Sequence, residues 1–254
     1  ETYLTLTNKV IARLNEVALT SSTFSSARGI QVQCQNAVNE SIRYINQKEF
    51  QYPFNHATDT EVLTAGTVKY NIPATAKTLD YNTFRVVKDS DIGASGGRLY
   101  TINYNDYVNT YITQEDEIVT TTLSESHTDS VTTLTVASTT NFDSSGTVYV
   151  GNEIITYTAI GSSTTLTGCT RGASSTTASA HASGVQVAQF EGGGIPQYVI
   201  RAPDNNYILY PFPIKSYKIK YDYFTFPTDM TAHDDTTTVP DRFAAVIIDG
   251  ATAF

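Results

Sequence analysis

Apolar residues recur at helical spacing near both ends of the chain and alternate at strand spacing between them. Residues 4–19, "LTLTNKVIARLNEVAL", set Leu6, Val10, Leu14, Val17 and Ala18 on one face and predict a helix, with Thr5 or Thr7 as its N-cap. Residues 26–50 predict a longer one. There Ile30, Cys34, Ala37, Val38, Ile42 and Ile45 form a stripe, and Gln31, Gln35, Asn39, Glu40, Arg43 and Asn46 face away. On that stripe Cys34 behaves as a small buried hydrophobe rather than a reactive thiol. Pro53 in "QYPFN" stops the pattern, because its ring removes a donor and drives the preceding residue out of helical backbone. A last helix is predicted in "VPDRFAAVIIDGATAF". Pro240 starts it, Asp241 suits its positive end, and Phe243, Val246, Ile247 and Gly250 follow.

Between these helices the period is two. "EVLTAGTVKYNIP" predicts a hairpin turning at Ala65–Gly66, and "TFRVVK" a further strand. "NYNDYVNTYI" fits either a strand or a short helix with Tyr104, Tyr107, Val108 and Tyr111 at helical spacing. After residue 189, "QYVIRA", "NYILYPFP" and "SYKIKYDYFTFP" predict three strands. In the last, Tyr217, Ile219, Tyr221 and Tyr223 share one face and Lys218, Lys220 and Asp222 the other.

Residues 119–188 differ in character: thirty of the seventy are Ser or Thr, and the charges are Glu125, Asp129, Asp143, Glu153 and Arg171 alone. Short alternating runs recur between turn signals, and Gly151–Asn152 reads as a tight hairpin turn. The flanking regions match each other in composition and this middle does not. The fold class expected is therefore α+β: a helical host domain with an antiparallel β region, residues 1–118 and 189–254, interrupted by a small all-β inserted domain, residues 119–188.

Composition narrows the chemistry. Of 254 residues only 16% are charged, the formal net charge is −9, and no basic block occurs. Tight phosphate binding is thereby disfavoured. Two cysteines, Cys34 and Cys169, make no disulfide framework and lack metal-ligand spacing. No apolar run is long enough to span a membrane and no secretory signal is visible. The chain starts without Met and stops inside a helical pattern, so continuation at both ends is expected.

Three stretches carry potentially reactive groups. In "DSDIGASGGRL", Asp89 and Asp91 open like a calcium loop, but the later acidic ligands and closing Glu are missing. In "QEDE" (114–117) adjacent carboxylates of a polar turn face water rather than one substrate. "GCTRGASSTTASAH" gathers Cys169, Arg171 and His181 within thirteen residues, as in a nucleophilic site, an anion site or half a metal site. A phosphatase-type loop places Arg six residues after Cys, whereas here it is two after. A Cys–His pair is compatible with the spacing, but no third orienting group is evident. The stretch reads as a turn between strands.

The layout resembles the head-to-tail connector adaptors of tailed phages, in particular the tail tubular protein A group. The residues that carry the likeness are "TNKVIARLNEVALTSSTFSSARGIQVQCQNAVNESIRYINQKEFQYPFN", "AGTVKYNIP", and "GGIPQYVIRAPDNNYILYPFPIKSYKIKYDY" with "VPDRFAAVIIDGATAF", about two-thirds of the chain. "SGTVYVGNEIITYTAI", "TTLTGCTRG" and "HASGVQV" resemble a small β element inserted in phage tail and neck proteins. The resemblance implies a structural virion protein of the neck, assembled in the host cytoplasm. It implies a ring of twelve copies that joins the portal protein to the tail nozzle or tail tube protein. Viral DNA would pass through the lumen without tight binding. No enzyme activity, cofactor or metal is expected. Lys218, Lys220 and Asp222 are the candidate contacts between subunits or with the lumen. The alternative is a tail fibre or receptor-binding protein whose β module holds host-surface glycan, with Tyr149 and Tyr157 as platforms.

Overall fold

Thr2 caps the first helix: its side chain accepts from the Thr5 amide at 3.3 Å, and α1 runs Tyr3–Arg13. The computed structural model describes residues 1–253. Helix α1 begins earlier than the periodicity predicts, at its Thr2 cap, and is shorter, because Asn15 turns to positive φ (56°) just past its end. Leu14 and Val17 are consequently exposed while Leu19 is buried. Helix α2, Ile30–Lys48, buries Cys34, Val38, Ser41, Ile42 and Asn46. Asn46 thus faces inward, against expectation, where it donates to the Ile42 carbonyl at 2.8 Å and accepts from Asn55.

The chain then turns to strands. They are β1 His56–Val62, β2 Lys69–Asn71, β3 Ala76–Val86, β4 Gly97–Arg98 and β5 Tyr100–Ile102. Helices α3, Tyr104–Thr110, and α4, Ile112–Asp116, follow. Next come β6 Val119–Thr122, β7 Thr133–Thr135, β8 Gly146–Val150, β9 Glu153–Tyr157, β10 Ala159–Ser162, β11 Thr165–Thr167 and β12 Gln186–Gln189. The last strands are β13 Tyr198–Arg201, β14 Asn206–Tyr210 and β15 Lys218–Thr225, and α5, Ala244–Ala253, comes after them. Among the described residues four sheets form, ordered β1-β15-β3-β4, β2-β14-β13-β5, β6-β12-β8-β9 and β10-β11-β7.

These facts overturn the expected fold class. Among the described residues the protein is mostly β, with only about 24% helix in five helices, and not a helical host domain carrying a small β insert. The cause lies in the flanking regions themselves: residues 56–102 and 198–225 supply eight of the strands among the described residues. The predicted hairpin at Ala65–Gly66 is also absent, since β1 and β2 belong to different sheets. There the chain steps between sheets: the Leu63 amide donates to the Tyr217 carbonyl and the Gly66 amide to the Pro213 carbonyl. Gly66 has φ +74°, and a Cβ added to it would stand 2.5 Å from that of Ala188.

The chain divides into two compact units. The helical unit comprises 1–57, 74–79 and 223–254; the β unit comprises 58–73 and 80–222. In the first, α1, α2 and α5 share one core of Tyr3, Leu6, Val10, Val38, Ile247 and their neighbours. In the second, Phe84 stacks on Tyr221 with ring centroids 4.5 Å apart, and Tyr207 meets both edge-on. Residues 119–187 hold a separate core within it, around Leu134, Val148, Val150, Ile155 and Leu166. Strands β6 and β12, which lead into and out of this stretch, pair antiparallel from Val119↔Gln189 to Thr122↔Gln186.

Candidate functional site

Chemically potent groups converge in one place, at the start of β9. The two-residue turn Gly151–Asn152 joins β8 to β9, with Val150 paired to Glu153 and Gly151 at φ 59°. Glu153 therefore opens a strand in phase with Ile155 and Tyr157, whose side chains enter the core. Its own side chain is fully buried.

Five donors satisfy this carboxylate. Arg171 holds it in a fork, Nε to Oε1 at 2.8 Å and Nη2 to Oε2 at 2.7 Å. The Gly172 amide donates to Oε1 at 2.9 Å, the Ser179 amide to Oε2 at 3.2 Å, and His181 Nε2 to Oε2 at 2.8 Å. Because a carboxylate only accepts, the imidazole must be the donor in that contact. Burial opposes ionisation of Glu153, but the bonds from Arg171, Gly172, His181 and Ser179 outweigh it and hold the pKa below the ordinary value. The rest of the guanidinium is spent on backbone, Nη1 on the Thr128 carbonyl at 2.5 Å and Nη2 on that of Ser179 at 2.6 Å.

His181 and His127 are joined by reciprocal main-chain bonds of 2.9 Å. The Thr135 amide donates to His127 Nε2 at 3.0 Å, which places that ring's proton on Nδ1. Cys169 takes no part in the cluster. It packs in the core of 119–187, its thiol donates to the Leu166 carbonyl at 3.4 Å, and burial pushes its pKa up. Of the three groups noticed in "GCTRGASSTTASAH", two therefore meet and the third is core. The partner that joins them, Glu153, lies outside that segment. The arrangement ties three loops together, and the Cys169 thiol lies outside it.

The other candidates are dispersed. Lys218 is exposed and Lys220 half-buried on β15, which lies between β1 and β3. Asp222 accepts from Thr58 Oγ1 at 2.8 Å, and its amide donates to Thr83 Oγ1 at 2.8 Å. The alternation expected along β15 breaks after Asp222, so Phe224 is buried where Tyr223 was expected. Tyr157 is only 2% exposed and donates to the Asp143 carbonyl at 2.7 Å, which removes it as a glycan platform. Tyr149 lines a cleft of about 1050 Å3 together with Asp116, Glu117, Asp143, Gln189 and Glu191. Among the described residues no group of three His, Cys, Asp or Glu side chains is disposed to hold a metal ion. None of the described helices is long and apolar enough to cross a membrane. The sequence matches no protein-family model and no curated protein.

Proposed function

We propose that this chain is a structural subunit of a phage neck, one copy in a closed ring that joins portal to tail and lets the genome pass. The observation that carries this reading is the Glu153 cluster. There acid, base and imidazole come together, and Arg171 and His181 both spend bonds on Glu153 of the same chain. Such a centre serves shape rather than turnover. The layout of "TNKVIARLNEVAL" through "QYPFN", and of the C-terminal strands and helix, supplies the likeness to connector adaptors. The net charge of −9 suits a conduit wall, because a polyanion must slide past without adhering.

The test is the size and shape of the purified chain, by native mass spectrometry and negative-stain electron microscopy. A closed ring, of twelve copies if the resemblance extends to symmetry, is expected. An elongated trimer would replace this reading with the receptor-binding one, and a chain that stays monomeric would end it. Duplex DNA should not bind at physiological salt, and sub-micromolar affinity in a gel shift would overturn the conduit role.

A further inference from the structure

Helix α5 is apolar almost all round. Of its ten residues only Asp249 and Thr252 are polar, yet only Ala244, Ile247, Ile248 and Ala251 are buried. A helix of that composition is ordinarily covered on every side. On the uncovered side Val246 is 53% exposed and Phe243, just before the helix, 40%. Two adjoining hollows of about 310 and 410 Å3 lie there between α5 and the C-terminal end of α2, and they share Ile45, Tyr52 and Val246. The rim is cationic. Lys48 sits 4.5 Å over the Tyr44 ring and Arg242 4.8 Å over the Phe243 ring, while Asp249 on the same wall is neutralised by Arg13 at 2.5 Å.

We propose that this groove receives the acidic β unit of a second copy of the chain; the inference rests on the ring reading and names one of its interfaces. Charge chooses the occupant. The helical unit carries seven Lys and Arg against nine Asp and Glu, whereas the β unit carries nine against sixteen. Groove on groove would set Lys48 and Arg242 against their own counterparts, and like charges facing each other are penalised. Groove on β unit brings opposite signs together over an apolar floor. The contact is therefore heterologous, and a repeated heterologous contact closes into a ring when its rotation permits.

Oligomer mass and shape would be compared for the native chain and for three variants at exposed positions: Val246→Asp, the pair Lys48→Glu with Arg242→Glu, and, as control, Val17→Asp on the helical unit outside the groove. Helical circular dichroism reports folding in each. The expected result is a native multimer, weakened about tenfold or more by the groove variants and unaffected by the control. A native multimer that survives Val246→Asp overturns the groove and leaves the ring intact. If Val246→Asp dissociates it but the charge-reversed pair assembles as well as the native chain, the acidic occupant is wrong. A native chain that never multimerises overturns both the ring reading and this one.

Discussion

Arg171 and Glu153 meet through two parallel hydrogen bonds, 2.8 and 2.7 Å long, with 6% and none of their side chains reached by solvent. Removing one member of such a pair leaves the other as an unpaired charge in a poor dielectric. Arg171→Ala or Arg171→Met should therefore destabilise the chain by about 3–5 kcal/mol. The double replacement Glu153→Leu with Arg171→Met should cost less than Arg171→Met alone, since apolar residues of similar volume tolerate the site. Urea midpoints decide it: a shift under about 1 kcal/mol for the single variants would show that the pair is not held as described.

The same carboxylate predicts an acid limb. A group whose folded pKa is depressed contributes stability that is complete above its unfolded value and disappears as pH falls through the folded one. Glu153 starts from 4.5. Its contribution should be intact at neutral pH and fade progressively below that value. Melting temperatures between pH 7 and pH 3 should fall more steeply for the native chain than for Glu153→Gln, which starts lower and lacks this carboxylate's titration. Parallel curves would assign the acid limb to other carboxylates.

Gly66 and Gly93 offer a matched comparison, with φ +74° and +72°. At Gly93 a Cβ meets nothing within 4 Å, while at Gly66 it meets Ala188 at 2.5 Å, with Phe190 at 3.3 Å. Both Ala substitutions incur the left-handed backbone cost, about 1–2 kcal/mol. Gly66→Ala adds overpacking of about 1–3 kcal/mol. Equal losses at both sites would mean that the step between sheets is not pressed against β12.

Excision of the middle stretch is a sharper test of its independence. Thr122 and Gln186 are paired neighbours, so residues 123–185 can be replaced by Asn-Gly, the preferred two-residue hairpin loop. The shortened chain keeps the bond from Gln186 Nε2 to the Ala65 carbonyl and keeps Ala188 in its place. It should remain soluble with the helical signal of the native chain. Aggregation or loss of cooperative melting would show that the stretch is needed for the remainder to fold.

The sequence made the local elements legible and the long-range pairing opaque. Helices α1 and α2 stand where 3.6-residue spacing puts them, α1 cut short at its C-terminal end and α2 trimmed at both, and the Gly151–Asn152 turn is where its residues predict. The fold class differs from expectation because the period-two stretches outside 119–188 build two four-stranded sheets of their own. Nothing local in "EVLTAGTVKYNIP" reveals that β1 joins β15 and β2 joins β14, partners well over a hundred residues away. At the site, Arg171 and His181 were visible by their rarity, and Glu153 was missed for being eighteen residues from Arg171. Its signal was present all the same: an acid in phase with Ile155 and Tyr157 can be buried only with a counter-ion, and Arg171 is the only cation in residues 119–188.

The union of α1, α2 and α5 in one core imposes an order in time. During synthesis α1 and α2 leave the ribosome early and must wait through some two hundred residues before Ile247 and Ile248 arrive to cover Val10 and Val38. A nascent chain thus exposes a sticky helical pair while its β unit folds. Because α5 both completes that core and lines the groove, a copy that docks there as proposed would gain its docking face only in the act of finishing its own fold. Under that proposal half-made chains would have no means to enter an assembly.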